Sequence, residues 1–92
     1  MKNDAENEIE IPSECEISFF NDEVTPGEFV KQLLIQVFNK SREEADFLTE
    51  ETERNGKSVI GVYTYDIAQT RAAIARSRVS KSGFPLKIEV SK

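Results

Sequence analysis

The chain has 92 residues, and its 12 lysines and arginines against 17 aspartates and glutamates give a formal net charge of −5. A chain of this length forms one domain with a thin core and shallow sites, and its acidity disfavours binding to the phosphates of nucleic acid. Because it contains no histidine, His-based catalysis and imidazole metal sites are excluded, and we expect no cofactor and no nucleic-acid partner.

The N-terminal segment, residues 1–13, carries four acidic side chains and no apolar period, which predicts a flexible acidic tail. The core domain is predicted at 14–92. From Glu14 polar and apolar residues alternate, and this pattern predicts a strand with Cys15, Ile17 and Phe19 on one face. Cys15 is the only cysteine, so no internal disulfide is possible and we expect it to be a small core residue.

A first helix is predicted after the turn at residues 21–23, because Thr25–Glu28 has the form of a capping box with Pro26 at the first helical position. Apolar residues then recur at helical spacing as far as Asn39. The predicted buried stripe of this helix is Phe29, Leu33, Leu34, Val37 and Phe38.

A second, more polar helix is predicted to begin at the capping box Ser41–Glu44, to carry Ala45 and Leu48, and to end at the pair Asn55-Gly56. The β-branched and aromatic segment Ser58–Tyr63 predicts a central strand, in which Gly61 marks a close backbone approach.

The last two elements are a third helix capped by Thr64 and stopped by Gly83, and an alternating strand over Leu86–Val90. The predicted apolar face of the helix is Ile67, Ile74 and Ala75. The resulting order, β-α-α-β-α-β, predicts an α+β fold with a small three-stranded antiparallel sheet and helices on one face. No apolar run approaches the ~18 residues of a membrane span, so we expect a cytoplasmic monomer without a membrane partner.

Two polar clusters stand out along the chain. Asn21, Asp22 and Glu23 follow a strand and are typical of turn chemistry; the spacing of a calcium loop is absent. The third helix is locally basic, which most often indicates a solvated face, with RNA binding as the less favoured alternative; its basic residues are Arg71, Arg76, Arg78 and Lys81. These residues by themselves indicate a binding module that is not an enzyme.

Three motifs together resemble the ClpS family, the adaptor of the bacterial Clp protease. The segment Asn21–Val30 is similar to the family's N-D-D/E-x-T-P-M-E-F-V, Asn55–Lys57 precedes Gly61–Thr64, and Phe84–Leu86 is similar to H-P-L. The resemblance runs from Cys15 to Val90 and implies the family's β-α-α-β-α-β fold. It also implies an adaptor that delivers proteins with a destabilising N-terminal residue, an N-degron, to the hexameric unfoldase ClpA for degradation by ClpP.

By this resemblance Asn21 and Asp22 bind the free α-ammonium group of the substrate, within a motif supported by Glu23, Thr25 and Pro26. A carboxylate is a strong acceptor for an ammonium because the hydrogen bond is charge-assisted, and an amide both donates and accepts. The family's third ammonium contact is a histidine, and Glu53 stands at the matching position. We hypothesise that Glu53 takes its place; otherwise it is a solvent-facing residue and that contact is lost.

The side-chain pocket implied by the resemblance departs from the family in three places. Gly27 and Thr49 stand where the family has methionines, and Thr52 stands where it has valine, whereas Val30 and Leu86 match as apolar walls. We therefore expect a wider and more polar pocket with a changed preference for the first residue: either β-branched or larger residues are admitted, or leucine and phenylalanine bind more weakly. If Glu53 and both threonines line one surface, the preference extends to polar or basic first residues.

The resemblance also carries an unfoldase-docking site. Asp66 and Arg71 match the acidic and basic positions through which the family docks on the N-terminal domain of the unfoldase; alternatively, both are surface charges of a solvated helix. The acidic tail corresponds in placement to the mobile N-terminal extension that the family needs for delivery.

Three interpretations of function follow. The first is an N-degron adaptor that docks on a ClpA-like unfoldase. The second keeps the fold and the docking but gives up N-degron binding, because Gly27, Thr49 and Glu53 depart from the pattern. The third is a domain like the C-terminal domain of the ribosomal stalk protein, which shares the element order and binds translation factors.

Overall fold

The computed structural model describes residues 14–91; the predicted acidic tail and the last residue lie outside this range. The element order is β-α-α-β-α-β, as predicted. The elements are β1 (Glu14–Phe20), α1 (Gly27–Gln36), α2 (Arg42–Asn55), β2 (Lys57–Thr64), α3 (Tyr65–Ser82) and β3 (Lys87–Ser91). Within the described range, no helix is long and apolar enough to span a membrane.

The sheet has the strand order β2-β1-β3, and both pairings are antiparallel. The prediction that Ser58–Tyr63 forms the central strand is therefore wrong, because β1 lies in the middle and β2 at an edge. The β-branched composition of β2 reflects its fit to a pleated sheet and does not report its position, and Val59 and Val62 are in fact exposed.

An irregularity in the β1–β2 ladder accompanies Gly61. Ile17 pairs with Gly61 and Ser18 pairs with Val59, so that β2 contains one extra residue, as in a β-bulge. A Cβ atom at Gly61 would lie 2.8 Å from the Tyr63 hydroxyl oxygen. The predicted close approach at Gly61 thus exists, but the approaching group is an aromatic ring and not a backbone.

The core lies between one face of the sheet and the helices. Cys15, Ile17 and Phe19 are fully buried, as the alternation predicts. The stripe predicted for the first helix is buried except for Phe29, which is half-buried and contacts Phe84 edge-on at a centroid distance of 5.1 Å. Its last two members, Val37 and Phe38, lie beyond α1, which ends at Gln36 and is shorter than the predicted helix to Asn39. The Phe19 ring meets the ring of Phe38 in the same geometry at 5.7 Å.

Of the face predicted for α3, Ala75 is buried as expected, but the two isoleucines are not. Ile67 and Ile74 are each 45% exposed, which contradicts their assignment to the apolar face. The buried residues are Ala68, Ala72, Ala75 and Val79. Small side chains allow the helix axis to lie closer to the layer it covers, so the alanines face the sheet and the isoleucines face outward.

The helix termini agree with prediction at most positions. Ser41 and Glu44 form a complete capping box, and Gly56 and Gly83 end α2 and α3 in the left-handed conformation with φ of 85° and 83°. The expected capping box at Thr25 is absent, because α1 begins at Gly27 with Pro26 as N-cap and without a side-chain cap. Thr25 instead bonds to Asp22.

Candidate functional site

The loop between β1 and α1 holds the carboxylate of Asp22 in one orientation. Its Oδ1 accepts from the Val24 N–H at 2.8 Å and from the Thr25 N–H at 2.6 Å, and its Oδ2 accepts from the Thr25 hydroxyl at 2.8 Å. This is the Asx-type turn that the sequence predicts at a strand end. Because three donors bind the two oxygens, the carboxylate is positioned before any ligand arrives.

The same contacts keep the Asp22 side chain charged. Its partial burial alone would raise the pKa of the carboxyl, but the hydrogen bonds from Thr25 and Val24 outweigh this effect and lower the pKa below its ordinary value. Each carboxylate oxygen has more than one acceptor site, so Asp22 can still accept a hydrogen bond from a cationic donor.

Asn21 links this loop to the end of α2. Its backbone N–H donates to the carbonyl oxygen of Gly56 at 2.9 Å, and this bond holds the β1–α1 loop against the α2–β2 turn. Its side chain is exposed and forms no hydrogen bond with any group in the described range. The amide is therefore free to donate and accept beside Asp22.

A small pocket opens next to Asn21 and Asp22. Eight of the residues that were predicted for the site line it, namely Asn21, Asp22, Thr25, Val30, Thr49, Thr52, Glu53 and Leu86. Three further predicted residues, Glu23, Pro26 and Gly27, do not line it, and Glu23 is exposed on the loop. The lining contains two carboxylates and, among residues 14–91, no lysine or arginine.

The inner wall of the pocket contains the two threonines of α2 in different bonding states. The Thr52 hydroxyl donates to the Leu48 carbonyl at 2.7 Å and shares a second bond of 2.7 Å with the Ser58 hydroxyl. The Thr49 hydroxyl is buried and has no hydrogen-bond partner within the described part of the chain. Val30 and Leu86 supply buried apolar surface to the same pocket.

Sequence analysis missed Ser58. It is 5% exposed and lies behind the pocket, where its hydroxyl pairs with Thr52. The signal was present in the alternation of β2, because Ser58 occupies the same inward-facing register as the buried Ile60. An inward polar residue requires a partner, and α2 provides it.

With this geometry described, comparison with known proteins identifies the family. Residues 10–89 match the family model described as "ATP-dependent Clp protease adaptor protein ClpS". The chain belongs to the ClpS family. The third interpretation, a domain like that of the ribosomal stalk protein, is therefore not pursued.

Individual ClpS proteins show the same relationship. The chain is 43% identical over 82 residues to the ATP-dependent Clp protease adapter protein ClpS of Helicobacter pylori, which covers 89% of this chain and 90% of the relative. The corresponding protein of Nitratidesulfovibrio vulgaris is 35% identical over 82 residues, with 89% of this chain and 79% of the relative covered. A solved structure of Agrobacterium tumefaciens ClpS2 bound to L-phenylalaninamide superimposes with a TM-score of 0.82 at 32% identity, and the match covers 87% of this chain and 96% of that one.

The departures from the ClpS pattern meet at one wall of the pocket. A Cβ atom placed on Gly27 would lie 3.3 Å from Glu53 Oε2 and 3.5 Å from Thr49 Cγ2. Glu53 is exposed, and its carboxylate forms no hydrogen bond or ion pair with the described residues. Three of the four departures, Gly27, Thr49 and Glu53, thus concern the same space at the start of α1; the fourth is Thr52.

The residues that match the docking positions of ClpS lie together at the start of α3. Asp66 and Arg71 line a shallow depression of about 460 Å³ with Ile67 and Thr70. The Arg71 guanidinium also donates to the Val37 carbonyl at 3.1 Å, at the C-terminal end of α1. Arg71 therefore has a structural role in addition to any role in docking, whereas Asp66 is exposed.

Proposed function

We propose that this ClpS protein binds the N-terminal residue of other proteins, their N-degron, and delivers them to the N-terminal domain of a ClpA-like Clp unfoldase. The observation that carries the proposal is the Asp22 carboxylate, which is fixed and charged at the rim of a pocket whose described lining contains no lysine or arginine. A free α-ammonium group supplies the missing positive charge, and the bond it forms is charge-assisted.

The arrangement distinguishes a first residue from an internal one. An internal residue offers only a neutral peptide N–H, whereas the first residue brings an ammonium with three donors, which suit Asp22, the amide of Asn21 and the carboxylate of Glu53. The side chain of the same residue then enters the adjoining pocket. L-phenylalaninamide, to which the Agrobacterium ClpS2 is bound, has this combination of a free amino group and one side chain.

The proposed role is non-catalytic, because the unfoldase and its peptidase perform the chemistry. In this role Asp66 and Arg71 form the docking site for the unfoldase, and the depression that they line with Ile67 offers both charge and apolar surface. The expected partners are therefore two, the N-degron of a substrate and the N-terminal domain of a Clp unfoldase.

A second function is favoured by the departures at Gly27, Thr49 and Glu53. A protein that docks on the unfoldase without binding N-degrons would alter substrate choice by occupying the docking site. The two functions differ in one property, which is the requirement for a free α-amino group.

Fluorescence anisotropy with peptides that vary at the first residue separates the two functions. We expect binding of free peptides that is lost on acetylation of the α-amine, and a loss of about 1.5 to 3 kcal/mol in Asp22→Ala, the usual value of a charged hydrogen bond. Glu16→Gln removes an exposed carboxylate from β1 and serves as the control. If acetylated and free peptides bind equally, N-degron binding is refuted and the modulator remains.

A further inference from the structure

Gly27 lies beside the pocket, next to its lining residues Glu53 and Thr49, and we call the position that its missing side chain leaves the Gly27 gap. The backbone of this residue does not require glycine, since the positive φ angles of the described glycines belong to Gly56 and Gly83. The missing side chain instead leaves space, and the Glu53 carboxylate lies beside that space at 3.3 Å from the Cβ position. The position of the Glu53 carboxylate therefore depends on the glycine, because a larger residue at position 27 would displace it.

The opposite side of the gap is formed by Thr49, whose methyl group lies 3.5 Å from the same Cβ position. Thr49 is only 3% exposed, and its hydroxyl lacks a hydrogen-bond partner in residues 14–91. Buried hydroxyls are normally paired. The neighbouring Thr52 follows this rule with two partners, whereas Thr49, which lines the same pocket, has none among the described residues.

The charges of the pocket are also unbalanced. Its lining contains the carboxylates of Asp22 and Glu53 and no basic side chain from the described residues. The α-ammonium of a bound chain brings one positive charge. Asp22, held by the loop, is the better oriented acceptor for it. Because a carboxylate has several acceptor sites, Glu53 at the Gly27 gap can accept from a donor on the side chain in addition to the ammonium.

We propose that the pocket selects a first residue whose side chain donates a hydrogen bond, and that Glu53 and Thr49 are the residues that select it. The inference rests on the proposed function and names the substrate class for the same site. A donor such as the lysine ammonium or the tyrosine hydroxyl can bond to the Glu53 carboxylate or the Thr49 hydroxyl. An apolar side chain leaves these groups without a partner in the complex, and an unpaired polar group in a binding site weakens binding.

The test uses matched peptides that differ only in the first side chain. Labelled peptides beginning with lysine or norleucine, and with tyrosine or phenylalanine, are titrated against the wild-type chain, each also in an acetylated form. The same titrations are made with Thr49→Val, which keeps the shape of the side chain, and Glu53→Gln, which removes its charge. Glu50→Gln on the exposed face of α2 is the matched control, and Gly27→Met fills the gap.

We expect the donor-bearing peptide of at least one pair to bind about fivefold tighter or more than its counterpart. This advantage should fall below about twofold in Gly27→Met and in Thr49→Val or Glu53→Gln, and persist in Glu50→Gln. Equal or tighter binding of both apolar peptides would overturn the inference, as would an advantage that survives in all three pocket variants. If free and acetylated peptides bind alike, or none binds, the proposed function itself fails; if only the matched pairs are equal, the function stands and this inference alone is wrong.

Discussion

Thr25 bonds to both oxygens of Asp22, through its backbone N–H to Oδ1 at 2.6 Å and through its hydroxyl to Oδ2 at 2.8 Å. A threonine placed by its spacing to cap a helix thus orients the acidic group of the site. The two bonds explain why this carboxyl is charged although it is partly buried.

Replacement of Thr25 by valine removes one of these bonds and leaves the shape of the side chain. We expect the pKa of Asp22 to rise towards its ordinary value, the free energy of unfolding to fall by about 1 to 2 kcal/mol, and peptide binding to weaken. Carboxyl NMR titration and urea denaturation measure the first two effects. Thr25→Ser keeps the hydroxyl and should resemble the wild type; an unchanged pKa in the valine variant would contradict this role.

The lowered pKa of Asp22 predicts the pH dependence of stability and binding. A carboxyl with a depressed pKa in the folded state stabilises the protein above its unfolded value of ~3.9, and this contribution is lost as the pH falls through the folded pKa. Peptide binding should decline over the same acid range and again above pH ~8, where the α-amine of the peptide loses its proton.

Glu53 also lines the pocket. The loss of peptide binding at low pH can therefore be assigned to Asp22 only if it is absent in the Asp22→Asn variant. Anisotropy titrations between about pH 3 and pH 10 span the titration ranges of both partners. Constant affinity across this range would argue against recognition of an ammonium group.

The buried pair Thr52 and Ser58 should be energetically coupled. Thr52→Val leaves the Ser58 hydroxyl buried without its side-chain partner, which costs about 1 to 3 kcal/mol. The double variant Thr52→Val with Ser58→Ala removes both hydroxyls and should recover part of this loss. A double-mutant cycle by thermal or urea unfolding measures the coupling, and strictly additive effects would show that the 2.7 Å contact contributes nothing.

Gly27→Ala should stabilise the chain. The position is helical with an ordinary φ, and the added Cβ meets only the flexible end of Glu53 and an ordinary contact with Thr49. We expect a gain of about 0.4 to 1 kcal/mol from the reduced freedom of the unfolded chain, measured by urea denaturation. A loss of stability would mean that the wall cannot adjust even to a methyl group.

Arg71 and Asp66 should differ in a docking experiment. Arg71→Met removes the bond to the Val37 carbonyl and a cation–π contact with the Tyr63 ring at 5.6 Å, which together predict a loss of about 1 to 2 kcal/mol of stability. Asp66→Asn, which removes the charge without reversing it in the first turn of α3, should lower stability by at most about 1 kcal/mol and abolish retention on a column of unfoldase N-terminal domain. Retention of the Asp66 variant would place docking elsewhere.

The element order and the inner face of β1 were predictable because strict alternation and complete capping signals leave few alternatives. The buried face of α3 could not be predicted in the same way. A periodicity argument places the largest apolar residues inside, but this helix buries Ala68 and Ala72 and exposes Ile67. Close packing on the sheet favoured small side chains there, and no local pattern reports how near two layers approach.

The site was predictable through family resemblance and not from spacing. Residues from the β1–α1 loop, α2 and the segment before β3 meet in one pocket, and only the fold brings them together. The unpaired hydroxyl of Thr49 and the proximity of Glu53 to Gly27 required coordinates, because both depend on distances across two helices.

The backbone hydrogen bond from Asn21 to the Gly56 carbonyl joins the β1–α1 loop to the end of α2. Under the proposed function, the loop would bind the α-ammonium group of a substrate, and α2 would form the wall beside its first side chain. Substitutions at Thr49 or Thr52 on that helix would then change which first residues bind, while Asn21 and Asp22 would keep the requirement for a free amino group.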